Sequence, residues 1–107
     1  MTTSKLPTIQ FLGYNCKVTF GYYKDENLAI MLIDAETKEP IADATSNLPT
    51  FPLKSYEVLI KNYSENEGIL QALIDGGIIE DTGIAISTGF VKLNLCNLLV
   101  EPEFNED

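Results

Sequence analysis

The sequence predicts a single α+β domain, a twisted antiparallel β-meander sheet with one short α-helix packed on one face. Three observations carry that prediction. Only residues 62–77, NYSENEGILQALIDGG, show a helical apolar period, with Ile69, Leu70, Leu73 and Ile74 on one stripe. On both sides of that stretch, short apolar runs alternate with clusters of Gly, Pro, Asn and Asp, as strands alternate with turns. The chain has 107 residues, 45% of them hydrophobic, which suits one ordinary core, and it contains no repeat or linker that would divide residues 1–107. Strands, one helix and strands again make α+β rather than α/β.

Taken in order, residues 1–7 are a loose lead-in closed by Pro7, and residues 8–12 read as a strand with Ile9 and Phe11 on one face. Gly13 and Asn15 allow a turn. Residues 16–23 alternate well, with Cys16, Val18, Phe20 and Tyr22 on one side and Lys17 and Thr19 on the other. The polar stretch 24–27 suits a hairpin. Residues 28–33, LAIMLI, lack polar alternation and read as a central strand buried on both faces. After the charged turn 34–39, Pro40 cannot sit in the middle of a sheet, and residues 41–46 read as a weak edge strand. Pro49 and Pro52 make residues 47–55 an irregular crossover. Residues 57–62 form a strand leading into the helix.

The helix is expected over residues 65–76. Ser64 and Glu67 match the S-x-x-E capping box, in which each side chain satisfies a first-turn backbone N–H. Glu65 and Glu67 stand at the positive end of the helix dipole, and Gly76-Gly77 offer a left-handed exit. About three turns cannot persist alone in water, so the stripe must pack on the sheet. Beyond it, Ile78 and Ile79 extend briefly, residues 80–83 turn, and residues 84–86 make another short strand. Residues 90–99 form the last strand, with Val91, Leu93 and Leu95 facing one way, and the acidic tail 101–107 is expected to fray.

Charge narrows function more than pattern does. Sixteen acidic residues face seven basic ones, all lysine, for a net charge of −9. Without arginine there is no bidentate clamp for phosphate, and a strongly negative chain is repelled by nucleic acid, so no direct nucleic-acid binding is expected. Without histidine the usual Ser/His and Cys/His catalytic pairs are missing, so the expectation is a protein that is not an enzyme and takes no cofactor. Cys16 and Cys96 lack C-x-x-C spacing and read as small buried hydrophobes. No run reaches membrane-spanning length and the N-terminal residues lack a signal-peptide core, which together imply a cytoplasmic protein, monomeric or homodimeric.

Several short matches have plain explanations. Asp81-Thr82-Gly83 is the D-T-G of aspartic proteases, but the long β segment that such a fold needs afterwards does not follow, and a structural turn is the reading. The pairs Asp34/Glu36, Glu65/Glu67 and Glu80/Asp81 could hold a hard cation, yet none lies in a D-x-[DN]-x-[DN]-G loop. Asn62-Tyr63-Ser64 fits the N-glycosylation pattern without a route to the enzyme, and Gly76-Gly77 follows a helix where a phosphate loop would precede one. Tyr14, Tyr22, Tyr23, Tyr56 and Tyr63 serve either as sheet packing or as a binding face. Residues 48–68 hold the most promise. They bring a Pro-rich crossover, Tyr56, Glu57, Lys61, Tyr63 and the helix start together, where Glu65 and Glu67 would oppose an anion and suit a protein surface.

In that segment Leu48-Pro49, Pro52-Leu53, Glu57-Val58 and Ile60-Lys61 lead into Tyr63-Ser64-Glu65-Asn66-Glu67-Gly68. A Leu-x-x-Leu helix, Gly77-Ile78-Ile79 and Thr88-Gly89-Phe90-Val91 follow. With the opening strand and the turn Ile33-Asp34-Ala35-Glu36-Thr37, this pattern, over roughly residues 8–100, resembles a family of short uncharacterised bacterial proteins carried on plasmids, conjugative elements and phages. The resemblance implies no activity and no catalytic residues. It implies a mobile-element setting, in which small acidic proteins bind and block host defence proteins.

The expected function is therefore an acidic, non-enzymatic interaction protein whose partner offers a basic surface. Tyr56, Tyr63, Glu65, Glu67, Glu80 and Asp81 are its candidate contacts. Two alternatives come from other classes. One is sequestration of a small nucleotide-like ligand, which a pocket holding Lys17, Lys61 or Lys92 would favour. The other is assembly through an open strand edge at residues 41–46.

Overall fold

The computed structural model describes residues 6–48, 51–89 and 91–102, so the expectations for Pro49, for Phe90 and for the outermost residues at both ends lie outside it. Strands β1 (Ile9–Phe11), β2 (Tyr14–Tyr22), β3 (Leu28–Asp34) and β4 (Pro40–Asp43) pair antiparallel in chain order. Then come β5 (Glu57–Ile60), a 3-10 turn (Ser64–Asn66), helix α1 (Ile69–Asp75), β6 (Ile79–Ser87) and β7 (Lys92–Leu98). The last three strands form a second antiparallel sheet in the order β5-β7-β6. This is an α+β fold with one short helix. The strands divide into two sheets where a single meander is expected.

The two sheets meet at one short seam. Leaving β4, the chain still pairs with β3 through Ala44, whose N–H donates to the Ile30 carbonyl at 2.9 Å. It then turns to β5, where Thr45 bridges Ile60, Ser46 N–H donates to Leu59 and Lys61 N–H to Ala44. Ile30 N–H would be stranded at that parting, and Thr45 Oγ1 accepts it at 3.1 Å. Residues 44–46 are thus held between β3 and β5, whereas residues 41–43 pair with β3 alone and form one border of the first sheet.

The core fills the concave side. Cys16, Val18, Ile30 and Leu32 from the first sheet meet Val58, Ile60, Cys96 and Leu98 from the second, with Ile69, Leu73, Ile78 and Ile79 between them. Helix α1 packs against β1 and β6. Gly76, at its end, lies so near β1 that a Cβ would stand 2.6 Å from Ile9 Cγ2. On the convex side of the second sheet, Leu59, Leu93 and Leu95 make a smaller cluster under Leu48, Phe51 and Leu53 of the crossover, with Tyr63 and Ile86 at its edge. β3 is not buried on both faces as its composition suggests. Ile30 and Leu32 are fully buried, but Met31 between them is 42% exposed, because no layer covers the outer face of the first sheet there.

The helix keeps its predicted stripe but not its predicted start. Ser64 lies in the 3-10 turn with φ +53, and α1 begins after Gly68, whose φ of +98 is left-handed. No capping box forms. Asn62 reaches forward instead, its Oδ1 accepting the N–H groups of Gly68 and Leu70, each at 3.0 Å. The C-terminus matches expectation: Gly77 is left-handed at φ +75, and Ile78 N–H to Leu73 and Gly77 N–H to Ile74 close a Schellman motif. Residues 80–83 are not a turn between two short strands. They lie within β6 as a bulge between Asp81 and Ile84, which lets one strand follow β7 for nine residues.

Candidate functional site

Three segments distant in sequence enclose an open cleft of about 660 Å³: Tyr22 with residues 26–28, residues 53–57, and residues 101–102. Its size is that of a ligand or side-chain recess, for which roughly 300–1,000 Å³ is usual. The β2–β3 hairpin builds one wall. Tyr23 and Asn27 close it, Asn27 N–H and Nδ2 both reaching Asp25 at 3.3 Å. Asn47, at the start of the crossover, ties the tip down by accepting from Asn27 Nδ2 at 3.0 Å and donating to Asp25 at 3.1 Å.

The crossover and the segment after β7 build the other wall. Leu53 is half-buried over the convex cluster and so anchors the neighbouring residues. Lys54 N–H donates to Glu57 Oε1 at 2.7 Å, and the Tyr56 hydroxyl donates to Glu101 Oε2 at 3.0 Å. That hydrogen bond, followed by the charge of Glu101, holds the Tyr56 phenol above its ordinary pKa, so the ring stays neutral. Leu98 N–H fixes the Tyr56 carbonyl at 2.7 Å. The cleft therefore presents two exposed phenol rings, Tyr22 and Tyr56, and three carboxylates, Glu26, Glu57 and Glu101, against one ammonium, Lys54.

Two of these residues hold uncomfortable backbones. Glu26 at φ +69 and Tyr56 at φ +67 are left-handed, a region that normally favours Gly or Asn and costs other residues about 1 kcal/mol. Glu26 closes a hairpin loop at the position where glycine is usual. Strain of this kind is tolerated where the side chain is wanted for something else.

Of the six candidate contacts only Tyr56 lines the cleft, joined by Tyr22 from the tyrosines noted in the sequence. Tyr63 is half-buried against the convex cluster and serves packing. Glu65 and Glu67 are exposed around the 3-10 turn. Glu80 is exposed on β6 opposite Asn97, which is in turn opposite Glu57, so Glu80 shares a face with the cleft at about 10 Å, two strand spacings. Asp81 pairs with Cys96 and points to the other face. The D-T-G is a self-bonded bulge: Asp81 Oδ1 accepts Gly83 N–H at 3.0 Å, and Thr82 Oγ1 donates to the Leu95 carbonyl at 2.7 Å while accepting Ile84 N–H.

The remaining tyrosines divide between roles. Tyr14 is exposed, and Tyr23 is half-buried with its hydroxyl 2.9 Å from Thr45 Oγ1. Cys16 and Cys96 are free and buried in separate sheets. Burial, then the Asp81 charge, pushes the Cys96 thiol up to about 12, and burial likewise raises Cys16, so both stay protonated and unreactive. Among the described residues, no three His, Cys, Asp or Glu side chains are placed to hold a metal ion, and no helix is long and apolar enough to cross a membrane. Glu57 lies in the favoured segment 48–68, whereas sequence reading missed Glu26 and Glu101 because nothing local joins them to it.

Fold and cleft together define a class: a one-helix α+β domain with an acidic, tyrosine-lined recess. The chain matches no protein-family model, no curated protein and no solved structure.

Proposed function

We propose that the chain is a non-enzymatic interaction protein of a mobile element or phage, and that its acidic surface docks on a basic face of a host protein, such as the nucleic-acid channel of a defence nuclease. The observation that carries this reading is the net charge of −9 on a chain whose Glu65, Glu67, Glu80 and Asp81 are all exposed. Long-range attraction between such a surface and a cationic face speeds encounter and makes association sensitive to salt. Sequestration of a phosphate-bearing ligand is less well supported, because the cleft holds Lys54 alone and none of Lys17, Lys61 and Lys92. Assembly through residues 41–46 has only the short border at residues 41–43 to use, since residues 44–46 already meet β5.

The test is affinity capture of the tagged protein from a host lysate at low and high salt, read by mass spectrometry, beside a variant carrying Glu65→Lys, Glu67→Lys, Glu80→Lys and Asp81→Lys. A partner with a basic surface, lost at high salt and lost by the variant, is the expected result. A partner retained by the variant at both salt concentrations refutes the electrostatic reading.

A further inference from the structure

We infer that the cleft between the β2–β3 hairpin and the crossover receives a single arginine side chain presented by the partner, stacked between Tyr22 and Tyr56 and paired with Glu57 and Glu101. The inference rests on the reading above and names the place and the chemistry of the contact.

Charge selects the class of occupant. Three carboxylates against one ammonium repel an anion and attract a cation. The rings select among cations. A guanidinium is planar, weakly hydrated and stacks on aromatic faces, whereas an ammonium keeps a tight water shell. Its fork also matches a carboxylate with two parallel hydrogen bonds. Glu57 and Glu101 are each steadied by one donor, Lys54 N–H and the Tyr56 hydroxyl respectively, and a carboxylate has about four acceptor positions, so each keeps capacity for a guanidinium. Glu26 adds charge from the opposite wall. At about 660 Å³ the recess is larger than one side chain, so a loop tip carrying the arginine fits as well.

Glu26 and Tyr56 line the recess with left-handed backbones and would both relax as glycine, but Leu12, Lys38 and Ser64 are left-handed elsewhere, so the charge and the rings carry the inference.

The experiment is a titration of the ¹⁵N-labelled protein, followed by two-dimensional NMR at low salt. The probe is N-acetyl-arginine methylamide, with the lysine and citrulline analogues beside it. Citrulline keeps the shape of arginine without its charge. Saturable shifts are expected at the amides of residues 26–28 and 54–57 with arginine, weaker ones with lysine and none with citrulline. Glu57→Gln, which keeps an acceptor for Lys54 N–H, and Glu101→Gln should each weaken the arginine probe about fivefold. Tyr22→Ala should weaken it about two- to fivefold, and Glu65→Gln should change nothing.

Tyr56→Gly and Glu26→Gly give a second readout, expected to raise the melting temperature while weakening the probe. Equal shifts with citrulline, or shifts spread over the surface and equally sensitive to Glu65→Gln, overturn the inference. The two readings fail separately. A host partner captured equally well by the Glu57→Gln/Glu101→Gln pair and lost by the surface reversals overturns the cleft alone. A probe that binds as described while no basic partner is captured leaves the cleft standing and removes the wider proposal.

Discussion

Replacing Thr45 with valine tests the seam between the sheets. Valine has nearly the shape of threonine, so the change opens no cavity and isolates the hydroxyl. In the native chain that hydroxyl accepts Ile30 N–H at 3.1 Å and lies 2.9 Å from the Tyr23 hydroxyl. Ile30 is fully buried, so its amide cannot turn to water, and a buried donor left unpaired costs about 1–3 kcal/mol. The Tyr23 hydroxyl keeps the Thr45 carbonyl at 3.2 Å, so its loss is partial.

A destabilisation of about 2 kcal/mol follows, and in a domain of this size that lowers the melting temperature by roughly 6–10 °C. Urea unfolding followed by circular dichroism measures the free energy, and hydrogen exchange at the Ile30 amide measures the local effect. Thr45→Ser is the companion variant, since it keeps the oxygen and loses only a methyl. A valine variant as stable as wild type, with Ile30 exchange unchanged, would refute the assignment of the hydroxyl as the ladder's missing acceptor.

Three further changes have defined outcomes. Asn62→Ala should cost about 1 kcal/mol in urea unfolding because it uncaps Gly68 and Leu70, whereas Ser64→Ala should cost little, the reverse of what a capping box requires. Gly76→Ala should cost about 1–3 kcal/mol by driving a methyl into Ile9 Cγ2, measured as a loss of thermal stability that Ile9→Leu, which lacks that branch at Cβ, partly restores. For Cys96 burial raises the thiol from its ordinary 9.0 to about 12, so its contribution to stability is fully present below pH 9 and is lost as pH rises from 9 towards 12. Stability should fall over that window by up to about 1.4 kcal/mol per pH unit. Cys96→Ala should flatten the slope, and an unchanged slope would show that another group is responsible.

What could be read from sequence was what local spacing encodes. The stripe of Ile69, Leu70, Leu73 and Ile74 marked the helix, and the alternation from Cys16 to Val18 marked the inner face of β2, because burial imposes periods that residues a few places apart can show. The helix start was misread since Asn62 caps from six and eight residues upstream, across an intervening 3-10 turn. Residues 80–83 have turn composition but lie in a strand because their own side chains satisfy the bulge. LAIMLI looked two-faced because apolar content shows what a face tolerates, whereas the cover over Met31 depends on other elements. The cleft was least legible. Its walls come from residues near 26, 56 and 101, joined only once both sheets are folded.

The bulge in β6 also bears on how the protein behaves when crowded. β6 lies at the margin of its sheet, with Ile84 half-exposed there, the sort of border along which identical chains can stack into fibrils. Asp81 and Thr82 bond the amides of Gly83 and Ile84 from within the strand, consuming donors that an incoming strand would seek, and the bulge bends the border out of the flat register that stacking needs. A motif with the letters of a protease thus blunts one border of the sheet by occupying its own amides.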